Sequence, residues 1–407
     1  MVMRRILAVL HRWFGLFTAL FLLVAGLTGA LIAWDHELDA WLNPQLFHVH
    51  GSAAALPSTE LARRLEAADP RLRVSYLPLA VEPGHALSMF VMPRLDPTTK
   101  QPYQLGFSEV MVDPSSGRVL GQREWGAFSL ARKNLVPFLY KLHYTLHVPD
   151  VGLFRPGVVF MGIVALVWLL DAFVALYIAF PNRKVWKKSF ALRLRSGSHK
   201  LTFDLHRSGG VWLWPILLVF AFTALSMNLD HELVRPVVGW FSPLTPSPFE
   251  AELPATPPET RITREQAIER ALVYAKQLGI QEPAGGVFHA AQLGFYGVGF
   301  HRPGNGHGDG GLGTPQLYID GQTGALKAKT LPGEGSAGDV FMQAQFPLHS
   351  GRIFGVAGRV IVTALGLLIA MLSFTGVWLW AKKRVAWGRA RARSNATDSA
   401  PSAVPGE

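Results

Sequence analysis

The sequence predicts an integral membrane protein built as an all-α four-helix bundle with two α+β domains outside the membrane. Three observations predict this fold class: four long uncharged stretches, basic residues clustered beside them, and an internal duplication. The chain has 407 residues, of which 49% are hydrophobic and 16% charged. A soluble protein can reach that apolar fraction, so the distribution of the apolar residues decides the class.

Four stretches are nearly free of charge over about 20 residues or more, the length that a helix needs to cross a hydrocarbon core about 30 Å thick. They are Trp13–Trp34, Pro156–Phe180, Gly209–Leu229 and Phe354–Ala381. The first lacks the small-x-small site of a cleaved signal peptide, since Trp34 leads into Asp-His-Glu. We therefore expect all four to be retained as transmembrane helices.

Basic residues indicate which ends of the helices face the cytoplasm, because lysine and arginine near span ends stay inside. Residues 1–12, 181–208 and 382–407 contain 3, 8 and 6 of the 39 basic residues, against the three acids Asp204, Asp398 and Glu407. We expect both termini and the middle loop to be cytoplasmic, in a bacterial inner membrane. The two long connections then lie in the periplasm.

The net charge of +11 is a topology signal and does not indicate nucleic-acid binding. The connections from Asp35 to Asp150 and from Asp230 to Arg352 contain 11 basic against 12 acidic and 9 against 12 residues. Neither can form the basic surface that a phosphate backbone requires. The chain also has no cysteine, which excludes disulfides, thiolate metal sites and the covalent attachment of c-type haem.

The chain repeats itself at a fixed spacing. His11-Arg12 before the first span and Asp35-His36-Glu37-Leu38 after it recur around the third span as His206-Arg207 and Asp230-His231-Glu232-Leu233. Both matches are offset by 195 residues (206 − 11 and 230 − 35). Asp113-Pro-Ser-Ser-Gly117 also matches Asp320-Gly-Gln-Thr-Gly324, and Leu142-His143 matches Leu348-His349. The predicted unit is span, outside domain, span, used twice.

The duplication and the charge pattern together divide the chain into eight segments. These are an N-terminus with the first helix at 1–34, an outside domain at 35–150, a second helix at 151–180, a basic loop at 181–208, a third helix at 209–229, a second outside domain at 230–352, a fourth helix at 353–381 and a basic, disordered tail at 382–407.

Each outside domain is predicted to contain one helix followed by strands. A capping-box pattern at Thr263 and Gln266 predicts a helix over Arg264–Leu278, and Ser58 or Thr59 is predicted to cap a shorter helix through Ala68. The Asp-x-x-x-Gly segments are predicted turns that lead into a last strand. Aromatic-rich alternating runs predict the strands, and prolines predict a linker: the strands are Val74–Leu79, Leu87–Met92, Leu105–Val112, Val287–Phe300 and Gln316–Ile319, and the linker is Pro243–Pro258.

The order of its motifs makes the chain resemble the PepSY-associated transmembrane proteins, which include iron-regulated membrane proteins and siderophore-iron reductases. The resemblance covers about residues 4 to 390. It rests on His11-Arg12-Trp13-x-Gly15, Leu142-His143-Tyr144-x-Leu146, Asp204-Leu205-His206-Arg207-x-x-Gly210, Asp320-x-x-Thr323-Gly324, Pro347-Leu348-His349-Ser350-Gly351-Arg352 and Thr375-Gly376-Val377-Trp378-Leu379-Trp380. It implies PepSY-like outside domains, bound haem b and the reduction of ferric chelates.

Histidines lie at both ends of the predicted spans, where an ionisable side chain is costly unless it faces the bundle interior or a partner. Equivalent residues of two repeats can approach each other across a pseudo-twofold axis and supply two axial imidazoles to one haem iron. We predict two haems per chain, one held by His11 and His206 inside and one by His143 and His349 outside. The alternative is that these histidines only cap helices or contact lipid headgroups.

Three further histidines are alternative ligands. His147 follows His143 by one predicted helical turn and would share its face of the helix. His36 and His231, each within Asp-His-Glu-Leu, have three roles open to them: to bind the outer haem, to bind a metal ion with the flanking carboxylates, or to form hydrogen bonds at the end of a span. Asp171 lies within span two and must be protonated or paired if buried, as a haem-propionate neighbour or a helix contact.

One motif indicates a function that its context excludes. Gly306-x-Gly308-x-x-Gly311 fits the dinucleotide fingerprint, but that fingerprint has meaning only between a strand and a helix of a βαβ unit. Here it lies in a glycine-rich loop followed by a predicted strand. His301 and His307 in this loop could contact a metal or substrate, and a surface loop without a site is the simpler interpretation.

Two functions from different classes follow. An oxidoreductase would pass electrons outward to a ferric siderophore or another ferric chelate in support of iron uptake, with a cytoplasmic reductase or the quinol pool as donor. A non-enzymatic membrane protein would use its PepSY-like domains to bind or inhibit a peptidase or to sense a ligand. A permease is disfavoured because four apolar spans lack a polar pathway. No catalytic residue is indicated; membrane lipid is the other expected partner, at the basic stretch Arg183–Lys200.

Overall fold

The computed structural model describes residues 2–50, 54–195, 197–250, 253–254 and 256–398. The helices in chain order are α1 (Val2–Ile32), α2 (Asp35–Leu42), α3 (Pro44–Phe47), α4 (Ser58–Ala68), α5 (Leu135–Thr145), α6 (Pro156–Ala179), α7 (Trp186–Ser189), α8 (Ser198–Asn228), α9 (Arg235–Gly239), α10 (Arg264–Gln277), α11 (Ala337–Gln343), α12 (Gln345–Ser350) and α13 (Gly355–Asp398). The strands are β1 (Leu72–Pro78), β2 (Leu87–Pro93), β3 (Glu109–Val112), β4 (Val119–Arg123), β5 (Ala284–Ala290), β6 (Phe295–Phe300), β7 (Gln316–Asp320) and β8 (Leu326–Thr330).

Within the described residues, four helical segments are long and apolar enough to cross a membrane, and each overlaps one of the four predicted apolar stretches. They are Val2–Ile32, Pro156–Ala179, Ser198–Asn228 and Arg352–Ala390. Three extend beyond the predicted bounds because hydropathy detects only the apolar part of a helix, whereas its basic flanks are also good helix formers. The predicted disordered tail is helical through Asp398 for this reason. Residues 399–407 of that tail lie outside the described residues.

The chain forms two compact units. The helical unit contains the chain up to Leu27, Val158–Asn228 and the chain from Ala364 onward, and the sheet unit contains Thr28–Gly157 and Leu229–Thr363. In the helical unit, α1 and α13 approach closely at Gly26, where an added Cβ would lie 3.2 Å from the backbone nitrogen of Ala370. Small residues permit such backbone contact between helices in lipid.

The sheet unit is built on one antiparallel sheet of eight strands, in the order β4-β3-β2-β1-β5-β6-β7-β8. Its first four strands follow α4 and its last four follow α10, and β1 joins the two halves through its pairing with β5, for example Tyr76 opposite Phe288. The two predicted outside domains therefore share a single sheet. Both helices pack on one face of it, and Leu61, Ala271 and Phe300 lie in the common core.

Local signals predicted most of these elements correctly. The capping box of Thr263 and Gln266 is present at the start of α10, and both Asp-x-x-x-Gly segments form hairpin turns whose glycine is left-handed, at φ +76° for Gly117 and +73° for Gly324. Two predictions were wrong. The single run Val287–Phe300 is a hairpin of β5 and β6, and no side chain caps α4, which begins after Pro57.

Candidate functional site

Two histidines from different helices face each other in the helical unit, and we call them the first pair. His11 on α1 and His206 on α8 have ring centroids 6.3 Å apart and ring planes inclined by 41°. Both lie at the sequence-predicted positions, one near the beginning of each long helix. The structure therefore brings together two of the four histidines that the duplication singled out.

The Nδ1 atom of each ring in the first pair is held by a neighbouring helix. His11 Nδ1 lies 2.9 Å from both carboxylate oxygens of Asp171 on α6, and His206 Nδ1 lies 3.0 Å from the carbonyl oxygen of Leu372 and 3.2 Å from Thr375 Oγ1 on α13. Carboxylate and carbonyl oxygens only accept, so Nδ1 carries the proton in both rings. The lone pair of each histidine is then on Nε2 and is free to bind a metal.

Asp171, whose partner could not be predicted from the sequence, is a helix contact of His11. Its side chain is 10% exposed and is paired with His11. A carboxylate that accepts the Nδ1 proton orients a ligating imidazole and raises its basicity. His206 has a neutral carbonyl and a hydroxyl in the same place, so the two rings of the pair are electrostatically unequal.

Glycines leave space beside the first pair. Gly15 and Gly210 follow His11 and His206 by four residues and therefore lie on the same helix faces. A Cβ added at either position would meet nothing within 4 Å. A third glycine supports the ring of His206 directly, because a Cβ at Gly376 would lie 2.9 Å from its Cε1 atom. A larger residue at Gly376 would therefore displace the imidazole.

The second pair lies in the sheet unit and has nearly the same geometry. His143 on α5 and His349 on α12 have ring centroids 6.2 Å apart and ring planes inclined by 56°. The surrounding protein excludes water from the charged form of His349 and lowers its pKa to about 3, and neighbouring His143 acts in the same direction. His349 is therefore neutral at physiological pH.

The two short helices that carry the second pair end in the same way. Leu146 after α5 and Gly351 after α12 both have left-handed backbone conformations, at φ +54° and +73°. The chain therefore turns sharply just after each of the two histidines. Each following helix then packs its glycine against that turn: Gly157 contacts the carbonyl oxygen of Thr145, and Gly358 contacts that of Gly351. Any Cβ at these two glycines would clash with backbone.

A Thr-Gly dipeptide holds one histidine of each pair, a relation that was not predicted from the sequence. Thr28 Oγ1 lies 3.0 Å from His143 Nδ1, and a Cβ at Gly29 would lie 3.0 Å from His143 Cε1. Thr375 and Gly376 make the matching contacts with His206. Two Thr-Gly dipeptides in transmembrane helices could have drawn attention, but their histidine partners are more than a hundred residues away in the sequence.

His147 does not lie where the sequence analysis expected it. The prediction that it shares a helix face with His143 is wrong, because α5 ends at Thr145 and His147 is itself left-handed at φ +57°. Its ring stacks on Phe138 with centroids 4.4 Å apart, and Nε2 donates a hydrogen bond of 2.8 Å to the Phe138 carbonyl. This histidine stabilises the end of α5.

The remaining candidate histidines lie outside both pairs. His231 is exposed, with Nε2 3.5 Å from Asp230 and Nδ1 3.9 Å from Glu250. His36 is exposed too, and its Nε2 lies 3.4 Å from Nε2 of His307 in the glycine-rich loop. His301 in that loop is buried, and its Nδ1 donates to the Arg302 carbonyl at 2.9 Å.

The glycine-rich loop joins two antiparallel strands. β6 ends at Phe300 and β7 begins at Gln316, paired with Gly299. No helix follows the Gly306-x-Gly308-x-x-Gly311 motif within the described loop, so the motif lacks the strand-to-helix context that the dinucleotide fingerprint requires.

Comparison with known protein families identifies a family model that covers most of the chain. The family model described as the PepSY-associated TM region matches residues 8–383, which include all four histidines of the two pairs. No curated protein sequence matches the chain.

Proposed function

The chain belongs to the PepSY-associated transmembrane family, and on that premise we propose that it is a haem b oxidoreductase that reduces ferric chelates, including ferric siderophores. We place it in a bacterial inner membrane, with both termini cytoplasmic and the sheet unit periplasmic. Each half of the chain contributes one histidine to each of two haem sites, related by the duplication. Electrons come from a cytoplasmic reductase or the quinol pool.

The observation that carries this proposal is the spacing of the two pairs. Two imidazoles on opposite sides of one iron each form a bond of about 2 Å from nitrogen to metal. Since the ring centroid lies about 1 Å beyond that nitrogen, the two centroids of an axial pair are about 6 Å apart. The observed distances of 6.3 Å and 6.2 Å fit this value.

The chemistry of the donor set supports the same assignment. Nδ1 of His11 and His206 is engaged by acceptor oxygens of the protein, which leaves Nε2 as the metal-binding atom of each, and Thr28 Oγ1 contacts Nδ1 of His143. The open space at Gly15 and Gly210 provides room for a flat group beside the first pair. With no cysteine in the chain, a non-covalent b-type haem is the form that these residues can hold.

Bound haem would supply one-electron transfer, and one electron reduces one ferric ion to the ferrous state. The protein residues have positional and electrostatic roles. Asp171 and Thr375 hold the first pair in its tautomer and orientation, and Thr28 orients His143. Iron(II) has a smaller charge than iron(III) and is held less tightly by the same oxygen ligands, so reduction releases it from a chelate.

Asp171→Asn is expected to raise the midpoint potential of the haem at the first pair. The carboxylate favours the more positively charged ferric iron through His11, and a neutral amide removes that preference. We expect an upward shift of about 60 mV, which equals a tenfold change in the equilibrium for a one-electron couple. A redox titration monitored by visible absorption measures it.

The haem at the second pair is an internal control for this substitution. It resides in the same molecules, and its potential should not move. A variant in which both potentials shift equally, or in which neither shifts, would contradict the assigned role of Asp171.

The absorption spectrum of the purified, detergent-solubilised protein tests the proposed function. Oxidised and dithionite-reduced samples should show a Soret band and the sharpened visible bands of six-coordinate b-type haem. Reduced protein mixed anaerobically with a ferric siderophore should return to the oxidised spectrum. Protein made with adequate haem supply that has no Soret band would disprove the proposal and favour the non-enzymatic alternative, which needs no haem.

A further inference from the structure

Three side chains outside both pairs converge in the sheet unit. One carboxylate oxygen of Asp35 and one ring nitrogen each of His36 and His307 all lie within 4.8 Å of one another. Asp35 and His36 begin α2, whereas His307 comes from the glycine-rich loop, so the cluster joins two distant segments of the chain. Two imidazoles and one carboxylate are a donor set typical of first-row transition metals.

The distance between the two imidazoles fits metal coordination better than a direct hydrogen bond. His36 Nε2 and His307 Nε2 are 3.4 Å apart, beyond the usual range of about 2.7–3.2 Å for hydrogen bonds from N–H. Two nitrogens bound at about 2.1 Å in a tetrahedral arrangement lie about 3.4 Å apart. The ring planes are inclined by 40°, as two ligands that approach one ion from different directions require.

The loop that presents His307 is held in place by charged and backbone contacts. Arg352 Nη1 donates to Asp309 at 2.7 Å, the Arg352 carbonyl accepts from the Gly310 nitrogen at 2.7 Å, and Asn305 Oδ1 accepts from the Asp309 nitrogen at 2.7 Å. Gly308, at φ +73°, permits the tight turn directly after His307. His307 is thus a positioned ligand and not the tip of an unsupported loop.

The electrostatics of the cluster also permit a bound cation. Asp35 Oδ1 is buried and accepts no hydrogen bond from the described residues, although Arg352 Nη2 lies 3.5 Å away. Asp35, Asp309 and Glu37 oppose the charges of Arg352 and Arg359, which leaves one net negative charge.

We propose that Asp35, His36 and His307 bind a divalent first-row transition-metal ion, with water in the remaining coordination positions. A site with two histidines, one carboxylate and open positions suits iron(II) and zinc. Calcium and magnesium ions do not suit this site, because they prefer oxygen donors and two of its three ligands are imidazole nitrogens.

The ion in the cell is iron(II), and this part of the inference rests on the proposed function. His307 packs against Phe346 with ring centroids 6.0 Å apart, and Phe346 lies on α12, one turn before His349. The metal site therefore adjoins the helix that carries a ligand of the second pair. An ion released from a reduced chelate at that pair would find imidazole ligands nearby, which bind iron(II) well.

Equilibrium dialysis of tag-free, chelator-treated protein against Zn²⁺, and anaerobically against Fe²⁺, tests the inference. We expect one tightly bound ion per chain in each case. Loss of a group that only supports a metal ligand costs about 10- to 100-fold in affinity, so His36→Ala and His307→Ala should each cost at least that. His231→Ala is the matched control, because His231 occupies the duplicated Asp-His-Glu-Leu without a second histidine beside it.

Each outcome decides the question. The site is supported if His36→Ala and His307→Ala both weaken the binding of Zn²⁺ and Fe²⁺ while His231→Ala leaves it unchanged. Equal binding in the wild type and both variants would overturn it, and Zn²⁺ binding without Fe²⁺ binding would overturn the assignment of iron(II). The measurement needs neither haem nor electron transfer, so its failure is distinguishable from failure of the proposed function.

Discussion

His11→Ala is expected to remove about half of the haem from the purified protein, because the proposed function assigns one of two haems to the first pair. His11 lies opposite His206 at 6.3 Å between ring centroids, and the second pair belongs to the other compact unit. Loss of one ligand should therefore leave the second haem intact. The pyridine haemochrome assay gives the haem content per chain.

His349→Ala is expected to remove the other half, and the double variant should contain no stable haem. Where the remaining histidine retains some haem, the iron loses one imidazole and changes from low spin to high spin, which electron paramagnetic resonance detects. Either variant thus produces a measurable change at one site only. Reconstituted vesicles of either variant should also lose electron transfer across the membrane.

His147→Ala and His231→Ala are the matched controls for these substitutions. Both remove an imidazole that lies outside the paired rings, and His147 already donates Nε2–H to the Phe138 carbonyl. We expect full haem content and unchanged spin state in both. Loss of haem in His36→Ala but not in His349→Ala would show that the second pair is assigned wrongly.

The recurrence of His-Arg and Asp-His-Glu-Leu in the sequence explains why the two pairs of facing histidines could be predicted. The constant offset between His11 and His206 meant that any twofold arrangement of the repeats would bring equivalent residues together. Hydropathy located the four spans because the bilayer demands long apolar helices. Both signals are properties of the sequence itself and do not depend on tertiary contacts.

The parts that could not be predicted depend on contacts between distant segments. The pairing of β1 with β5 has no local signal, so two domains were expected where one sheet exists. The edge strands β4 and β8 have five residues each and contain no buried apolar residue, which hides them from a search for alternating apolar residues. The end of α5 was missed because a leucine, Leu146, takes the left-handed position usually given to glycine.

The supporting residues of the pairs were missed for the same reason. Asp171 was recognised as unusual because a carboxylate is costly within a membrane, but its partner His11 lies 160 positions away. Thr28 and Gly29 carry only the weak signal of a recurring Thr-Gly dipeptide, since glycine is common in transmembrane helices. Only the position of the His143 ring gives them a role.

Gly376→Val is expected to remove the haem of the first pair and spare that of the second. Even a Cβ at Gly376 would lie 2.9 Å from His206 Cε1, and valine adds two methyl groups to it. The ring cannot simply move aside, because its Nδ1 donates to the Leu372 carbonyl. Valine is a better helix former than glycine, so the loss is not expected to reflect a weaker α13.

Gly29→Val should have the reciprocal effect, since its Cβ would lie 3.0 Å from His143 Cε1 while the first pair has no contact with Gly29. Each variant thus controls for the other. Gly376→Val should lose the same haem as His11→Ala, and Gly29→Val should lose the same haem as His349→Ala. Gly388→Val on α13, where an added Cβ meets nothing within 4 Å, should retain both haems. Loss of the same haem in Gly376→Val as in His349→Ala would contradict the proposed support of His206 by the Thr375-Gly376 dipeptide. That dipeptide contacts His206 in the first pair, so its substitution should not act selectively on the second pair.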